Sequence, residues 1–425
     1  MAIAVCGMLD EREDGLLLIK EQIERRGHQT VIIDFSIGTG GIQPSLKAEI
    51  TCDELARAGG ANIDTIRATL KTEREKATSA MARGLVIKTK DLLDAGTLQG
   101  IIAVGGMTGT MISLPALKEL PFGLPKVLMS STAALPHYAN LFAQYFSVSD
   151  VTVMHTVVDA VGMNAMLRNL LINGAGAISG MVESYEPPAR KTKPALAITE
   201  YGFSEQAAHQ IREQLEHDFD VVSFHAQGIG DLAVEHLVAQ GRFDGFIDLV
   251  PSAFGEYLLG GNRPSGPNRL ESAGIAGIPY VLAPCGFDIV SCGPIARRDN
   301  GDPLWTSRKL ADRKMFIQDT VRVQVRTSPE EMKIFAKAVA EKLNRYPDKK
   351  LVRFLIPARG FSSVGSEGGA LYEPETDRVF ADELRKQLDP EIQIVELDTH
   401  LNSPEFARAV IQAFNETYAL WRGRR

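Results

Sequence analysis

The residues best suited to chemistry lie in short stretches rich in glycine and hydroxyl side chains. The first is Val104-Gly105-Gly106-Met107-Thr108-Gly109-Thr110, which follows the apolar run Gly100–Val104 and opens a segment of helical spacing, Thr108–Leu120. Glycines let backbone N–H groups approach an anion, and a helix N-terminus adds a positive partial charge. Thr108 and Thr110 add hydroxyls. The stretch is neither a P-loop nor a full G-x-G-x-x-G, and a tight turn at a crowded strand end would use the same glycines. Cys6-Gly7-Met8-Leu9-Asp10 and Ser130-Ser131-Thr132-Ala133-Ala134 also follow apolar runs. Gly7, Thr108, Ser131 and Thr132 together make a hydroxyl-and-amide cradle for phosphates, with Asp10 placed to hold a metal through water or a ribose hydroxyl. Asp34 ends the run Thr30–Asp34 and reads either as a ribose ligand or as a loop cap.

The second half carries a different set. His225, in Phe224-His225-Ala226-Gln227-Gly228-Ile229-Gly230-Asp231, is a candidate general acid or base at a strand end. Asp248 and Glu256 are candidate catalytic carboxylates, and Gly228 a candidate substrate contact. Arg263 and Arg269 share the loop Gly260–Arg269. Guanidinium binds carboxylate and phosphate bidentately, although loop arginines are often only solvated charges. Ser362 and Ser363 sit in the loop Arg359–Gly369, which either closes over a ligand or is a surface loop. His400 follows the last strand and is a candidate to join His225 in one cleft. Cys285 reads as a small buried thiol rather than a nucleophile.

Alternating strands and helices must position these loops. Strands are expected at Ile3–Cys6, Thr30–Asp34, Gly100–Val104, Lys126–Ser130 and Val151–Val158, then at Ala195–Thr199, Val221–His225, Gly245–Val250, Tyr280–Ala283, Thr320–Arg326, Leu351–Ile356 and Ile392–Leu397. The intervening segments have helical periodicity, so the fold class is α/β: two doubly wound domains, each a mostly parallel sheet covered by helices. Glu186-Pro-Pro-Ala-Arg-Lys-Thr-Lys-Pro194 has no helical or strand period and is expected to link domains at 1–186 and 195–425. A helical stretch at Ile63–Leu93, broken near Gly84, is longer than one small domain needs, and part of it is expected to pack on a second copy in a homodimer. Glycines 174, 176 and 180 within Asn164–Val182 suggest tight packing of that helix.

The chain has 425 residues and a formal net charge of -7. That length exceeds what one core usually serves, and the acidic balance argues against nucleic acid or anionic lipid as partners. The four cysteines form no C-x-x-C pair, no metal site is expected from them, and a reducing, cytoplasmic location follows. Met1–Gly7 reads as a first strand rather than a signal peptide, and no apolar run reaches the ~20 residues that span a bilayer.

The order Gly7-x-Leu9-Asp10, Gly105-Gly106-x-x-Gly109-Thr110, Pro125-Lys126-x-x-x-x-Ser131-Thr132 and Val158-Asp159-x-x-Gly162-x-Asn164 resembles the N-terminal part of the tomato mosaic virus resistance protein family. Phe224–Gly228, Gly260–Leu270, Gly277–Pro279 and Asp398–Ala407 extend the resemblance over nearly the whole chain. It implies an ATP site built from Gly7, Asp10, Gly105, Gly106, Gly109, Thr110, Ser131 and Thr132. Where the family pattern continues Thr-Lys-Gly after Asp10, this chain reads Glu11-Arg12-Glu13, which reads as a basic residue lost and an acidic pair gained. The Asp-Arg-Gly expected before the long helix is not visible around Thr72–Lys76, and Ala133-Ala134-Leu135 replaces Ala-Ser-Gly. The resulting expectation is a protein that binds ATP or another nucleotide, with Mg2+ as a possible companion, and acts on a small anionic ligand between its domains. The alternatives are a metabolic enzyme on a small carboxylate or phosphorylated acid without ATP, and a non-catalytic binding or scaffold protein.

Overall fold

Two faces of a parallel sheet must both be covered, and period-2 alternation in the strands decides which residue faces which layer. The computed structural model describes residues 1–186 and 192–424 and divides into two units, Met1–Ala189 and Arg190–Arg425. Most of the expected linker core, residues 187–191, lies outside the described residues.

The first unit runs β1 Ala2–Gly7, α1 Leu9–Arg25, β2 Gln29–Asp34, α2 Cys52–Ala58, α3 Ile63–Thr69, α4 Arg74–Asp94, β3 Leu98–Gly105, α5 Met107–Glu119, β4 Lys126–Ser130, α6 Ala139–Phe146, β5 Thr152–His155 and α7 Ala165–Glu183. The sheet order is β2-β1-β3-β4-β5, every pair parallel. Ala4, Cys6, Ile101 and Ala103 face a layer made by α2, α4 and α5, whereas Ile3, Val5, Ile102 and Val104 face α1 and α7. Each large aliphatic side chain so buried contributes about 1.5–3 kcal/mol. β1 leads outward to β2 on one side and the chain then crosses to β3 on the other. The strand order therefore reverses between β1 and β3, the place where ligands enter such sheets.

The long helical stretch differs from expectation. It breaks at residues 70–73, between α3 and α4, and Gly84 lies inside the continuous α4. A side chain at Gly84 would stand 2.0 Å from the Leu55 carbonyl oxygen, and one at Gly59 would stand 1.9 Å from that of Ala80. These glycines let α2 and α4 touch backbone to backbone. The buried face of α4 is covered within the unit by α2 and α5. Of the three glycines in α7, Gly174 is the one pressed on the sheet, 2.3 Å from Met129 Sδ at its missing Cβ.

The second unit runs β6 Ala195–Glu200, α8 Glu205–Leu215, β7 Asp220–His225, α9 Ile229–Ala239, β8 Gly245–Asp248, α10 Ser252–Leu259, α11 Ser272–Ala276, β9 Tyr280–Leu282, β10 Ile289–Ser291, α12 Ala296–Asp299, α13 Pro303–Ser307, β11 Met315–Ile317, β12 Val323–Arg326, α14 Pro329–Leu343, β13 Val352–Pro357, α15 Pro374–Gln387, β14 Gln393–Leu397 and α16 Pro404–Arg422. Its main sheet, β14-β13-β9-β8-β6-β7, is parallel throughout, and its order reverses between β6 and β8. Phe246, Tyr280, Leu282 and Phe354 pack on α9, α14 and α15, and Leu196, Ile198, Ile247 and Leu355 on α8 and α16. A small antiparallel sheet, β10-β12-β11, sits beside it and was not expected from the sequence. Ser403 caps α16 by accepting from Phe406 N at 3.0 Å. Among the described residues no helix is long and apolar enough to cross a membrane.

Candidate functional site

In the first unit the ends of β1, β3 and β4 bring the glycine and hydroxyl loops together. Gly105 has no room for a side chain, since its Cβ would lie 2.7 Å from Gly109 Cα, and this starts α5 hard against β3. Gly106 is the N-cap of α5 and supplies no side-chain cap, which leaves the first-turn N–H groups of the helix without one. Ser131 Oγ lies 3.8 Å from the Cβ position of Gly106. The Thr108 hydroxyl accepts from Arg74 Nη2 at 3.0 Å. Thr110 is turned away: its hydroxyl pairs with Ser130 Oγ at 2.7 Å, with both residues buried. Thr132 accompanies it, its N–H donating to Ser130 Oγ at 3.1 Å. Gly7 serves packing, because a side chain there would meet Leu16 at 2.6 Å.

Asp10 holds the following loop. Its Oδ2 accepts from the N–H groups of Gly38 and Gly40 at 3.1 and 3.2 Å, while Oδ1 is buried without a hydrogen-bond partner. Burial pushes its carboxyl up from the ordinary value. Asp34 is a loop cap, accepting from the N–H groups of Leu9 and Ser36 at 3.2 and 2.9 Å.

Arg12 corrects the impression of a lost basic residue. It breaks helical geometry inside α1, with φ -135° and ψ 26°, and this turns its side chain inward. It is 7% exposed, and its Nη2 lies 3.4 Å from the Cβ position of Gly106. Its guanidinium pairs with Glu11 and, at 3.4 Å, with Asp159, while Nε has no partner. Arg12 and Arg74 are the cations that reading loop by loop missed. A basic residue two positions past Asp10 was the available signal for the first; nothing local marked the second.

In the second unit the expected residues separate. His225, Gln227 and Arg263 line one pocket of about 190 Å3 with Tyr201, Gln318 and Arg322. Gly228 adopts φ +87° and caps α9, its N–H donating to Asp231 Oδ2 at 3.0 Å. Glu256 is buried beneath the loop that carries Arg263 and accepts from Ser291 N at 2.8 Å. Burial pushes its carboxyl up to about 7, against the pull of Ser291 N–H and the Arg263 guanidinium.

Arg269 and Asp248 are not in that pocket. Both are buried and bonded to each other, so the structure places Arg269 in the core rather than among solvated loop charges. Ser362 is buried too, its hydroxyl donating to Asp288 Oδ2 at 2.5 Å. Ser363 and His400 line a larger cleft of about 540 Å3 with Arg359, Asp398, Glu205 and Glu367. His225 and His400 thus line neighbouring cavities, both bordered by Gly202. All four cysteines are free, and burial pushes the Cys285 thiol well up, so it is no ready nucleophile. Among the described residues no cluster of His, Cys, Asp and Glu is arranged to hold a metal ion.

A chain of two α/β units, each with a parallel sheet whose order reverses once, is the class of protein that fold and loops define. Residues 1–187 match the N-terminal domain, and residues 193–418 the C-terminal domain, of an uncharacterised protein family, UPF0261. The chain belongs to the UPF0261 family. A UPF0261 protein of Clostridium tetani is 32% identical over 410 residues, 96% of either chain. One of Brucella suis is 30% identical, covering 98% of this chain and 96% of that one. The ToMV resistance protein Tm-1(GCR237) of Solanum lycopersicum is 29% identical over 351 residues, 81% of this chain but 45% of the tomato protein. The resemblance read from the motifs, which already covered nearly the whole chain, is made definite: the family is UPF0261, and the tomato protein is one longer relative.

Proposed function

We propose that the first unit binds a nucleotide, ATP with Mg2+, with its phosphates over Gly106 and the first turn of α5. The observation that supports this best is the convergence of Arg12 Nη2 and Ser131 Oγ on the Cβ position of Gly106 at the reversal of strand order. A guanidinium beside the cradle, a set of uncapped N–H groups and the Ser131 hydroxyl are what a polyphosphate needs. Arg74 adds a second cation through Thr108. Asp10 fits a role in holding Mg2+ through its unpartnered Oδ1, with the ion neutralising phosphate charge. The motif resemblance independently implies ATP. The small anionic ligand on which the protein acts, in this reading, is a separate partner.

The test is isothermal titration of the full chain with ATP and Mg2+. Saturable heat is expected, weakened about tenfold or more in Arg12→Ala, since a charge-assisted contact is worth ~1.5–3 kcal/mol. No heat at millimolar ATP, or unchanged affinity in Arg12→Ala, defeats the proposal.

A further inference from the structure

We propose that the pocket of Tyr201, His225, Gln227, Arg263, Gln318 and Arg322 is a second binding site, for a small oxyanion carrying a carboxylate or a phosphate monoester. It lies at the carboxyl ends of β6 and β7, beside the reversal of strand order between β6 and β8. Its sign of charge is what distinguishes it. Two guanidinium groups and an imidazole line it, and no carboxylate does. The larger neighbouring cleft is lined by Glu205, Glu367 and Asp398 and has Arg359 already bound to Asp398 at 2.6 and 2.7 Å.

Arg263 is half-buried, and among the described residues its guanidinium makes no hydrogen bond or ion pair. Its charge acts on the buried Glu256 carboxyl without a hydrogen bond to it, so its N–H donors remain available to a bidentate anion. Arg322 is committed to Asp319 through Nε at 2.6 Å, which leaves its Nη groups available. Gln227 and Gln318 add neutral amide donors. Beneath them Tyr201 is 6% exposed and forms the floor, its hydroxyl turned to the buried Cys285 thiol.

The frame is fixed before any ligand arrives. A side chain at Gly228 would stand 3.1 Å from the Arg263 carbonyl, closer than a Cβ comfortably sits. Asn262 is tied on both sides, N to Ser291 O at 2.8 Å and Nδ2 to Gly293 O at 2.7 Å. The hairpin of β11 and β12 that carries Gln318 and Arg322 is braced by Phe316 against Phe203, with ring centroids 6.3 Å apart. A volume of about 190 Å3 falls below the ~300–1,000 Å3 of pockets for drug-sized ligands, which suits an anion of a few heavy atoms.

The experiment titrates the full chain calorimetrically with inorganic phosphate and, separately, with lactate, at constant ionic strength. Wild type should bind at least one of them saturably, and which one identifies the ligand chemistry. Arg263→Gln and Arg322→Gln should each weaken binding about tenfold, all measured in a Gly106→Val background that closes the phosphate cradle of the first unit. Arg322 is exposed on a hairpin, so its variant keeps the test valid even if Arg263→Gln folds poorly. Saturable binding of neither anion overturns the proposal. So does binding in that background that persists unweakened in Arg322→Gln. Because the nucleotide reading is tested with ATP and Arg12→Ala, failure of either proposal leaves the other standing.

Discussion

Arg269 donates to both carboxylate oxygens of Asp248, Nη1 to Oδ2 at 2.6 Å and Nη2 to Oδ1 at 2.8 Å. Its Nε reaches Asp231 at 2.8 Å, and Nη1 also reaches Glu235 at 2.9 Å. Asp248 further accepts from the hydroxyls of Thr199 and Tyr280, both at 2.6 Å. One buried guanidinium therefore ties α9, β8 and the loop before α11, and it is satisfied without a ligand. Arg269→Met would leave its carboxylate partners in the core without their cation. We expect a loss of ~3–5 kcal/mol in urea unfolding, typical of breaking a buried pair from one side. A loss below about 0.5 kcal/mol, the range of surface changes, would return Arg269 to the candidate ligand contacts.

Gly84→Ala sets two effects against each other. Alanine favours a helix interior by ~1 kcal/mol over glycine. The new methyl, however, would stand 2.0 Å from the Leu55 carbonyl oxygen, which is backbone and cannot swing away. Overpacking of this kind costs ~1–3 kcal/mol or more. Net destabilisation is expected, read as a lower midpoint of thermal unfolding. A raised midpoint would show that α2 and α4 do not touch as described.

How far the sequence revealed this protein depends on the range over which each feature is determined. The parallel strands were legible because β-branched runs alternate in period with helices. Gly105, Gly106 and Ser131 were legible because strand-end loops converge in any sheet of this class. The three-residue strands β10 and β11 carry too few residues to show a period. Gly84 read as a break because only the partner helix reveals that its missing side chain is a contact. Arg269 read as a candidate anion contact on a loop because its partners lie 21 to 38 residues away. Arg12 was hidden by its acidic neighbours, and a single non-helical residue turns it inward.

Gly105 and Gly106 separate packing from binding. A side chain at Gly105 meets the Gly109 backbone at 2.7 Å, so Gly105→Val should lower stability and ligand affinity together. At Gly106 the nearest atoms are Arg12 Nη2 at 3.4 Å and Ser131 Oγ at 3.8 Å, both ends of side chains. Gly106→Val should therefore leave the melting midpoint within a few degrees of wild type while excluding phosphates from the cradle. Paired thermal melts and ATP titrations check this. Equal destabilisation by both substitutions would remove the distinction.

Glu256 gives the second unit a pH dependence of definite sign. Burial raises its carboxyl to about 7 in the folded chain, above the ordinary value of 4.5. The folded state then holds a proton that the unfolded chain releases, so the contribution to stability is complete below the ordinary value and is lost as pH rises through about 7. The full span is roughly 3 kcal/mol at ~1.4 kcal/mol per unit. Asp231 and Asp288 are also raised by burial, so the total profile alone does not isolate Glu256. The difference between wild type and Glu256→Gln does. The glutamine should gain stability relative to wild type as pH goes from about 5 to 8, and its amide oxygen can still accept from Ser291 N. Gly261 supports this choice of variant, because its Cβ position lies 1.6 Å from Glu256 Oε2 and only a side chain of the same shape fits there. A difference that stays flat across this range would mean that Glu256 titrates normally and that the loop carrying Arg263 is solvated.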